Sequence, residues 1–381
     1  MVLMRAQKLE LNLLGESVLK EEGWYTDAVR RFDGGVLLAR GESWKRHGDE
    51  TDRGPWWQVS RDGGVTWQSY VKPDDGRDHR QGALPLFQRP DGSLIGWADA
   101  YAEQQYNGRP GQPTRQSVVR APSWEALIRG QAVRAEATVW LPYTVPGMGD
   151  DFKTRYGLTI WGKMVEAENG HLIQAAYSAL AYDRAPRLWA EQKAPAFQTR
   201  TCVIYSQDSG ATWHYLATVA SPSQYPLPAQ GEGYCEPDLL HFGAGHLLCV
   251  MRSGGNPSGT LMERYTPLMA SRSNDGGLTW TPPAPIVAYG VKPVLLQMSD
   301  GLVVCLAGRP GFFLLFSRDE GRTWSTPHWV SESHGPWGRS ASGYGELIEL
   351  ERGVLGVAYD ECTGSGDGAK MVAKFRRYRI R

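Results

Sequence analysis

The sequence has no excess of charge of either sign and no long apolar run. Its 41 Lys and Arg residues balance 41 Asp and Glu residues, whereas phosphate backbones and anionic membrane surfaces bind through an excess of basic charge. We therefore expect no nucleic-acid partner and no membrane partner. No segment approaches the roughly 20 apolar residues of a membrane span, and the first residues lack the apolar core of a signal peptide. The sequence predicts a cytoplasmic protein, or a secreted one if a leader has been removed.

Cysteine is scarce as well. Five cysteines stand singly, without a CxxC pair and without a His/Cys cluster at metal-binding spacing. An odd number of isolated cysteines indicates reduced, buried thiols rather than a disulfide framework. The eight histidines show neither HExxH nor paired spacing. We therefore predict no metal site and no cofactor.

What the sequence has in abundance is glycine and large aromatic side chains, with 45 Gly, 15 Trp and 17 Tyr. Long helical patterns are rare, so this composition favours many short strands joined by tight turns. Closed β architectures often exceed the usual size of one globular core. We expect an all-β fold in which residues 1–381 form a single domain.

An eight-residue pattern, S-x-D-x-G-x-T-W, occurs four times. Its copies occupy residues 60–67, 206–213, 273–280 and 317–324. Such residues form a turn, because Ser and Asp bind backbone N–H groups, Gly accepts a positive φ and Trp packs beneath the turn. We expect these aspartates to close hairpins and to take no part in catalysis.

A second repeat consists of a glycine turn followed by an apolar pair, typical of a β-hairpin. Its glycines are Gly34, Gly92, Gly170, Gly245, Gly301 and Gly353. Six hairpins, four of them followed by the eight-residue pattern, predict a six-bladed β-propeller with four-stranded blades. The second and sixth blades lack the pattern, and a seventh blade would have to lie within residues 95–155.

The register of these hairpins predicts which residues meet. In an antiparallel hairpin, the start of the first strand lies beside the end of the second, opposite the turn. The polar, charged and aromatic residues at the start of the first strand or the end of the second strand of these hairpins are Tyr25, Trp161, Glu236, Lys292, Tyr344, Arg40, Asp99, Ser178, Arg252, Arg309 and Asp360. We expect them to face one mouth, where ligand sites commonly lie. A slip of one residue would turn any single side chain to the other face.

These segments resemble the bacterial sialidase (neuraminidase) family and its superfamily, in which the eight-residue motif is the Asp box or BNR repeat. Residues 235–237 and 250–253 are similar to the strand pair that carries a glutamate and the second arginine of the family. Residues 308–310 are similar to the segment of the third arginine. Residues 342–344 resemble the segment of the tyrosine nucleophile, and residues 48–49 match the loop of the acid/base aspartate.

The resemblance implies a retaining exo-glycoside hydrolase that acts on a terminal, acidic sugar. Tyr344 would be the nucleophile, since a sialic acid's own carboxylate repels a carboxylate nucleophile and sialidases depart from the two-carboxylate scheme. Glu236 would take the phenol proton, and Asp49, with Glu50 and Asp52 as rivals, would act as acid and base. Arg252 would bind a substrate carboxylate through charge-assisted hydrogen bonds.

The other substrate-binding candidates come from the resemblance or from the hairpin register. By the resemblance, Arg309 would complete the grip on the carboxylate. By the register, Tyr25 and Trp161 could stack on a sugar or could simply pack within the protein. Sialidases carry their first arginine at the start of blade one, where this sequence has residues 24–28, WYTDA. The three-arginine clamp is therefore incomplete, and Arg30, Arg40 or Lys292 could supply the missing cation. Asp99 is a further candidate at the mouth.

Three other functions stay open. Arabinan-cleaving relatives use two glutamates, and Glu166 or Glu168 with Glu236 could form such a pair. Propeller lyases that act on uronic polysaccharides use Tyr and His, for which His47 is conceivable. A propeller that binds carbohydrate without chemistry would explain the incomplete clamp.

Overall fold

A computed structural model of the chain shows an architecture built almost entirely from strands. It describes residues 9–31, 35–43, 55–70, 87–98, 113–142, 158–180, 186–188, 195–227, 233–254, 266–332, 343–364 and 370–381.

The first half of the chain contains strands β1 (Leu11–Glu21), β2 (Gly23–Arg31), β3 (Leu37–Ser43), β4 (Pro55–Ser60), β5 (Gln68–Ser69), β6 (Phe87–Gln88), β7 (Leu94–Trp97), β8 (Thr114–Ala121), β9 (Val133–Trp140), β10 (Thr159–Glu166), β11 (Leu172–Ser178), β12 (Pro186–Leu188) and β13 (Pro195–Phe197). The second half contains β14 (Arg200–Ser206), β15 (Thr212–Ala220), β16 (Cys235–Gly243), β17 (His246–Arg252), β18 (Leu268–Ser273), β19 (Ala284–Val287), β20 (Val291–Gln297), β21 (Val303–Gly308), β22 (Phe312–Ser317), β23 (His328–Ser331), β24 (Glu346–Glu351), β25 (Val354–Thr363) and β26 (Lys370–Ile380).

One short helix, α1 (Trp124–Ile128), interrupts the strands between β8 and β9. Ser123 caps it, because its Oγ accepts the N–H of Ala126 at 3.2 Å and satisfies one of the free donors of the first turn. Among the described residues, no helix has the length and apolar character needed to cross a membrane.

The strands form six four-stranded units, which we number along the chain. Units one, four and five are the antiparallel sheets β2-β3-β4-β5, β16-β17-β18-β19 and β20-β21-β22-β23. Units two (β6 to β9) and three (β10, β11, β14, β15) join into one eight-stranded sheet, because β9 and β15 pair in parallel. Each of these two units has four strands, and the parallel pairing of their last strands joins the two units at one edge.

The sixth unit, ordered β1-β26-β25-β24, combines both ends of the chain. Glu16 of β1 accepts hydrogen bonds from Tyr359 at 2.6 Å and from Arg376, and Lys374 lies 3.3 Å from it. Burial opposes the ionisation of Glu16, but these hydrogen bonds and charges together lower its pKa. An ionised side chain therefore fixes the N-terminal strand to the C-terminal one.

Six apolar core clusters hold the described units together, and each is shared by two consecutive units. Ile95 and Trp97 of unit two pack with Leu172 and Trp213 of unit three, for example. The remaining clusters join units three and four, four and five, five and six, six and one, and one and two. Each fully buried aliphatic or aromatic side chain contributes about 1.5 to 3 kcal/mol. The hydrophobic stabilisation thus runs from each unit to the next and from the last back to the first.

The hairpin glycines adopt the backbone conformation that the sequence predicts. Gly92, Gly170, Gly245, Gly301 and Gly353 have φ values between 74° and 87°, in the left-handed region that favours glycine. Each lies between the first two strands of its unit. Residue 34, in the first hairpin, lies outside the described residues.

The four S-x-D-x-G-x-T-W segments form equivalent turns between the third and fourth strands of units one, three, four and five. In the third copy, Ser273 Oγ accepts the N–H of Gly277 at 2.9 Å, and Asp275 Oδ1 accepts the N–H of Thr279 at 2.9 Å. The indole N–H of Trp280 donates to Gly277 at 2.9 Å. The same Ser and Asp hydrogen bonds occur in the other copies. Local hydrogen bonds thus close each turn, as expected.

The cysteines are free thiols, and four of the five are buried. Burial raises the pKa of the Cys249 and Cys305 thiols, so both are neutral near pH 7. Cys362 is only half-buried, so the prediction of buried thiols is wrong for that residue. It lies near the end of β25, where the chain leaves the core.

Candidate active site at the mouth of the inner strands

The candidate site lies where five inner strands begin. We call β2, β10, β16, β20 and β24 the inner strands, and the end at which they begin is the mouth. β2, β10, β16 and β20 are the first strands of their units along the chain, and β24 is the edge strand of the sixth unit. Contacts run from β10 to β16, β20, β24 and β2 in turn. Residues at the start of each strand are therefore brought together although they are far apart in sequence.

A break in strand pairing at the same place on four inner strands turns side chains into the mouth. Pairing with the second strand is interrupted after Trp24, Ile160, Cys235 and Val291, and it resumes three or four residues later. Such bulges redirect side chains at functional sites. The residues released from the ladder include Trp161, Glu236 and Lys292.

Two of the released residues have an unusual backbone. Glu236 has φ 48° and Lys292 has φ 43°, in the left-handed region that disfavours residues with a side chain. Such conformations cost on the order of 1 to 3 kcal/mol and concentrate at active sites. The surrounding contacts must therefore hold both residues in place.

Glu236 and Tyr344 are in direct contact. The phenol of Tyr344 donates a hydrogen bond to Glu236 Oε1, which also lies 3.3 Å from Arg252 Nη1. The second carboxylate oxygen accepts the backbone N–H of Lys292 at 3.0 Å. Glu236 is only 6% exposed, so its orientation is set by these three donors. A phenol beside a carboxylate can pass its proton to that carboxylate and become a nucleophile.

Two further predicted residues surround the Tyr344 ring. Trp161 lies edge-on to it, with ring centroids 6.0 Å apart and an interplanar angle of 78°. The Arg309 guanidinium carbon lies 5.6 Å from the centroid of the same ring, a cation–π distance. The phenol is thus held between an indole and a guanidinium.

Close backbone approach of two glycines brings Arg309 and Tyr344 together. A Cβ at Gly308 would lie 2.1 Å from the Cα of Gly343, so only glycine allows these segments to touch. Gly343 has φ 86°, which turns the chain into the mouth just before Tyr344.

Lys292 makes contacts that the sequence does not predict. Its ammonium donates to the carbonyl of Gly345 at 2.7 Å and lies 3.3 Å from Glu346 Oε1. Glu346 is 2% exposed, and Arg30 Nη1 lies 3.5 Å from its other oxygen. The ammonium therefore points at protein acceptors, in contrast with its prediction as a substrate ligand.

Beneath the mouth, Asp238 ties three inner strands together. Its Oδ1 accepts the N–H of Lys163 at 2.6 Å, and its Oδ2 accepts the N–H of Leu295 at 2.7 Å. The ammonium of Lys163 lies 3.1 Å from Oδ2. These contacts connect β10, β16 and β20 and make a rigid floor for the site.

Charge at the mouth is predominantly positive. Among the described mouth residues whose contacts are given above, three are cationic and two anionic, an excess of one positive charge: Arg252, Lys292, Arg309, Glu236 and Glu346. A concave site lined by one sign of charge attracts ligands of the other sign. The mouth is electrostatically suited to an anionic ligand.

Four other residues are predicted to lie at the mouth or in its loops. Asp49 and Asp99 lie outside the described residues, and of Tyr25 only the backbone, in β2, is described. Arg40 is 1% exposed, and its guanidinium lies 5.5 Å from the centroid of the Trp57 ring within unit one.

The arrangement argues against the pair of glutamates considered above. Glu166 pairs with Leu172 at the turn end of its hairpin and forms an ion pair with Arg89 at 3.1 Å. Glu168 lies in that turn. Glu236 lies at the opposite end of its own strand. Because β10 spans several residues at about 3.3 Å each, neither residue can meet Glu236 across one substrate.

Sequence reasoning missed Glu346 and Asp238 as members of this region. The available signal was an acidic residue within an apolar strand: Glu346 precedes Leu347 and Ile348, and Asp238 precedes Leu239 and Leu240. A carboxylate in such a position is buried and must find a partner. Among the described residues, no group of three or more His, Cys, Asp or Glu side chains could hold a metal ion.

Comparison with known proteins places the chain in a family. The family model described as a BNR repeat-like domain matches residues 157–357, more than half of the chain. A search of curated proteins finds no match. The chain belongs to the BNR repeat-like domain family.

Solved structures agree in fold. A protein of unknown function from Dyadobacter fermentans DSM 18053 aligns with TM-score 0.66 and 17% identity, covering 97% of this chain and 99% of that one. The endosialidase of phage phi92 aligns with TM-score 0.50 and 12% identity, over 98% and 69% of the two chains. NanB sialidase from Streptococcus pneumoniae, as a mutant, gives TM-score 0.49 and 13% identity over 97% and 70%. At these identities the likeness to the Dyadobacter protein and to the phage endosialidase concerns the all-β fold alone.

Proposed function

We propose that residues 1–381 form one six-bladed β-propeller in which each four-stranded unit is a blade and the four eight-residue turns are Asp boxes. The support is cyclic packing: each core cluster joins consecutive units, and one joins the sixth to the first. The N-terminal strand β1 completes the last blade by pairing with β26, so closure of the ring would depend on both ends of the chain.

We further propose that the protein is a sialidase-like, retaining exo-glycoside hydrolase. The contact between the Tyr344 phenol and the Glu236 carboxylate is the observation that carries this proposal. In the first step Glu236 takes the phenol proton as Tyr344 Oη attacks the anomeric carbon, and Asp49 protonates the leaving oxygen. In the second step Asp49 takes a proton from a water that attacks the anomeric carbon, the bond from that carbon to Tyr344 Oη breaks, and Glu236 returns its proton to the phenolate oxygen.

The proposed substrate is a glycan with a terminal acidic sugar. The mouth carries excess positive charge, and Arg252 and Arg309 are suited to a carboxylate because guanidinium groups bind carboxylates through paired donors. Trp161, whose edge meets the Tyr344 ring, would contact the sugar. A sialoside is the first candidate, and a uronate-terminated glycan is the second.

Hydrolysis of a fluorogenic α-sialoside by the purified protein tests this proposal. Tyr344→Phe removes the nucleophilic oxygen and keeps the ring, so we expect turnover to fall to background. Tyr205→Phe is the matched control, since Tyr205 lies beside an Asp-box turn and near His171 and His214. It should retain wild-type turnover.

Other outcomes would redirect the proposal. Turnover of arabinan or of uronate oligosaccharides, but not of the sialoside, would keep a carbohydrate-active enzyme and reject the sialidase. An unsaturated uronate product would indicate a lyase. Tight binding of a glycan with no product from the whole panel would indicate a binding protein and reject catalysis. Full activity in Tyr344→Phe would remove the tyrosine from the mechanism.

A further inference from the structure

Lys292 stands between the two groups of the proposed chemistry. It follows Val291 at the start of β20, where the pairing with β21 is interrupted. The backbone N–H of Lys292 donates to Glu236 Oε2 at 3.0 Å. Its ammonium donates to the carbonyl of Gly345 at 2.7 Å, and Gly345 directly follows Tyr344.

We propose that Lys292 is a positioning residue for the Tyr344–Glu236 pair and not a substrate ligand. This inference rests on the proposed function, because it concerns the same two groups. Tyr344 and Glu236 are 108 residues apart in sequence, and Lys292 lies at the start of β20, the inner strand between β16 and β24. Lys292 holds the carboxylate of one and the chain of the other, so it sets the distance over which the phenol proton moves.

The surroundings of the ammonium explain why it is directed away from the substrate. Lys292 is 9% exposed and Glu346 is 2% exposed. A buried carboxylate requires a cationic partner, since an unpaired buried charge is strongly unfavourable. Arg30 lies 3.5 Å from the other oxygen of Glu346, a longer contact than that of the ammonium. Lys292 therefore balances the charge of Glu346 while it binds Gly345.

The backbone at Lys292 points to a required side chain. Its φ of 43° lies in the region where glycine carries no steric cost. A lysine in this backbone conformation costs free energy, so contacts with the surrounding structure must offset that cost. The two contacts of its ammonium supply that compensation.

The test is Lys292→Met in the full chain, which keeps the length of the side chain and removes its charge. A crystal structure of the variant should show the Tyr344 phenol and the Glu236 carboxylate out of hydrogen-bonding distance. On the substrate that the wild type cleaves, kcat should fall about 100-fold, the loss that a misplacement of about 1 Å causes. KM should change less than about threefold, because Lys292 would not contact the sugar.

Controls separate positioning from general destabilisation. Lys374→Met removes an ammonium that contacts Glu361 at 2.6 Å and Glu16 at 3.3 Å in the sixth unit, and it should leave kcat unchanged. Arg30→Met removes the second cation beside Glu346 but not the Gly345 contact, so we expect a smaller loss of kcat. Lys292→Arg keeps a cation at this position, so we expect it to retain part of the wild-type kcat. This variant also tests the inference if Lys292→Met does not fold.

Clear results would overturn the inference. A Lys292→Met crystal structure with the phenol and carboxylate still in contact rejects it, whatever the activity. So does a large rise in KM with unchanged kcat, which would make Lys292 a substrate ligand. If the wild type cleaves nothing, the proposed function fails, whereas the crystal structure of the variant still decides whether Lys292 positions the pair.

Discussion

The Asp-box turns and the mouth use similar side chains in opposite ways. In each turn the aspartate, serine and glycine are satisfied within five residues of sequence, as Asp275 is by the N–H of Thr279. At the mouth, Glu236 is satisfied by Lys292 and Tyr344, which are 56 and 108 residues away. The turns are local devices that repeat, whereas the mouth is assembled by the whole fold. This difference explains why each turn can be predicted from eight consecutive residues, whereas the contacts that Glu236 makes with other units cannot be predicted from any local pattern.

The sharpest test of this comparison is to remove one carboxylate from each region. Glu236→Gln keeps the shape of the side chain but removes the proposed base, so turnover should fall about 10²- to 10⁴-fold, the range for general bases. Asp275→Asn changes a carboxylate in an outer turn and should leave turnover unchanged. The measurement is kcat/KM of both variants on the substrate that the wild type cleaves.

Opposite results would break the comparison. If Asp275→Asn lowers kcat/KM as much as Glu236→Gln does, the turns and the mouth are coupled and the division into local and assembled regions is wrong. Equal thermal stability of wild type and Glu236→Gln would show that the loss of turnover does not arise from unfolding.

Tryptophans provide a second test, with stability as the readout. Trp213 follows an Asp-box turn, is fully buried and packs against Trp97 with ring centroids 4.9 Å apart. Trp213→Ala should cost about 3 to 5 kcal/mol of unfolding free energy, as large-to-small changes in a core do. Trp161 at the mouth is half-buried, and Trp161→Ala should cost about 1 kcal/mol, the contribution of an aromatic pair. Chemical denaturation measures both.

The two tryptophan substitutions should also differ in their effect on activity. Trp161→Ala should lower kcat/KM while Trp213→Ala, where it folds, should not. If Trp161→Ala destabilises the protein as much as Trp213→Ala, then Trp161 is a core residue and its assignment to the mouth is wrong.

What the sequence predicts correctly depends on local signals. The positive φ of the hairpin glycines follows from their Gly-turn pattern, and the turn hydrogen bonds follow from S-x-D-x-G-x-T-W. Register counting even places Glu236 beside Arg252, because Arg252 pairs with the neighbouring Cys235. These predictions need only the geometry of one hairpin.

Other features depend on contacts that no local pattern encodes. The parallel pairing of β9 with β15 fuses two units, and the N-terminal strand β1 completes the last unit. Lys292 illustrates the same limit at the site: its position at the mouth is predictable, but the acceptor of its ammonium, Gly345, lies in another unit. Which cation meets which carboxylate is decided by the approach of neighbouring units.

The smallest expected effect concerns the protonation of the turns. Burial opposes the ionisation of Asp275, but hydrogen bonds from Thr279 and Ser273 outweigh it and lower its pKa; at the exposed Asp62, the hydrogen bonds from Thr66 lower the pKa. A carboxylate with a lowered pKa in the folded state stabilises the fold above its unfolded pKa of about 3.9. That stabilisation is lost as the pH falls through the folded value.

The unfolding temperatures of wild type and Asp275→Asn should therefore differ fully above about pH 4, and they should converge only as the pH falls further, through the lowered pKa of Asp275 in the folded state. Because the side chain is close to solvent, the difference at pH 6 should be on the order of 1 °C for one turn. Scanning calorimetry from pH 6 to about pH 2 measures it, and combining the same substitution at Asp62, Asp208 and Asp319 should enlarge it nearly additively, since each aspartate is hydrogen-bonded within its own turn. A difference in unfolding temperature that grows toward acid pH would contradict this prediction. A strongly non-additive combination would show that the turns are not independent and that, like the mouth, they depend on contacts between units.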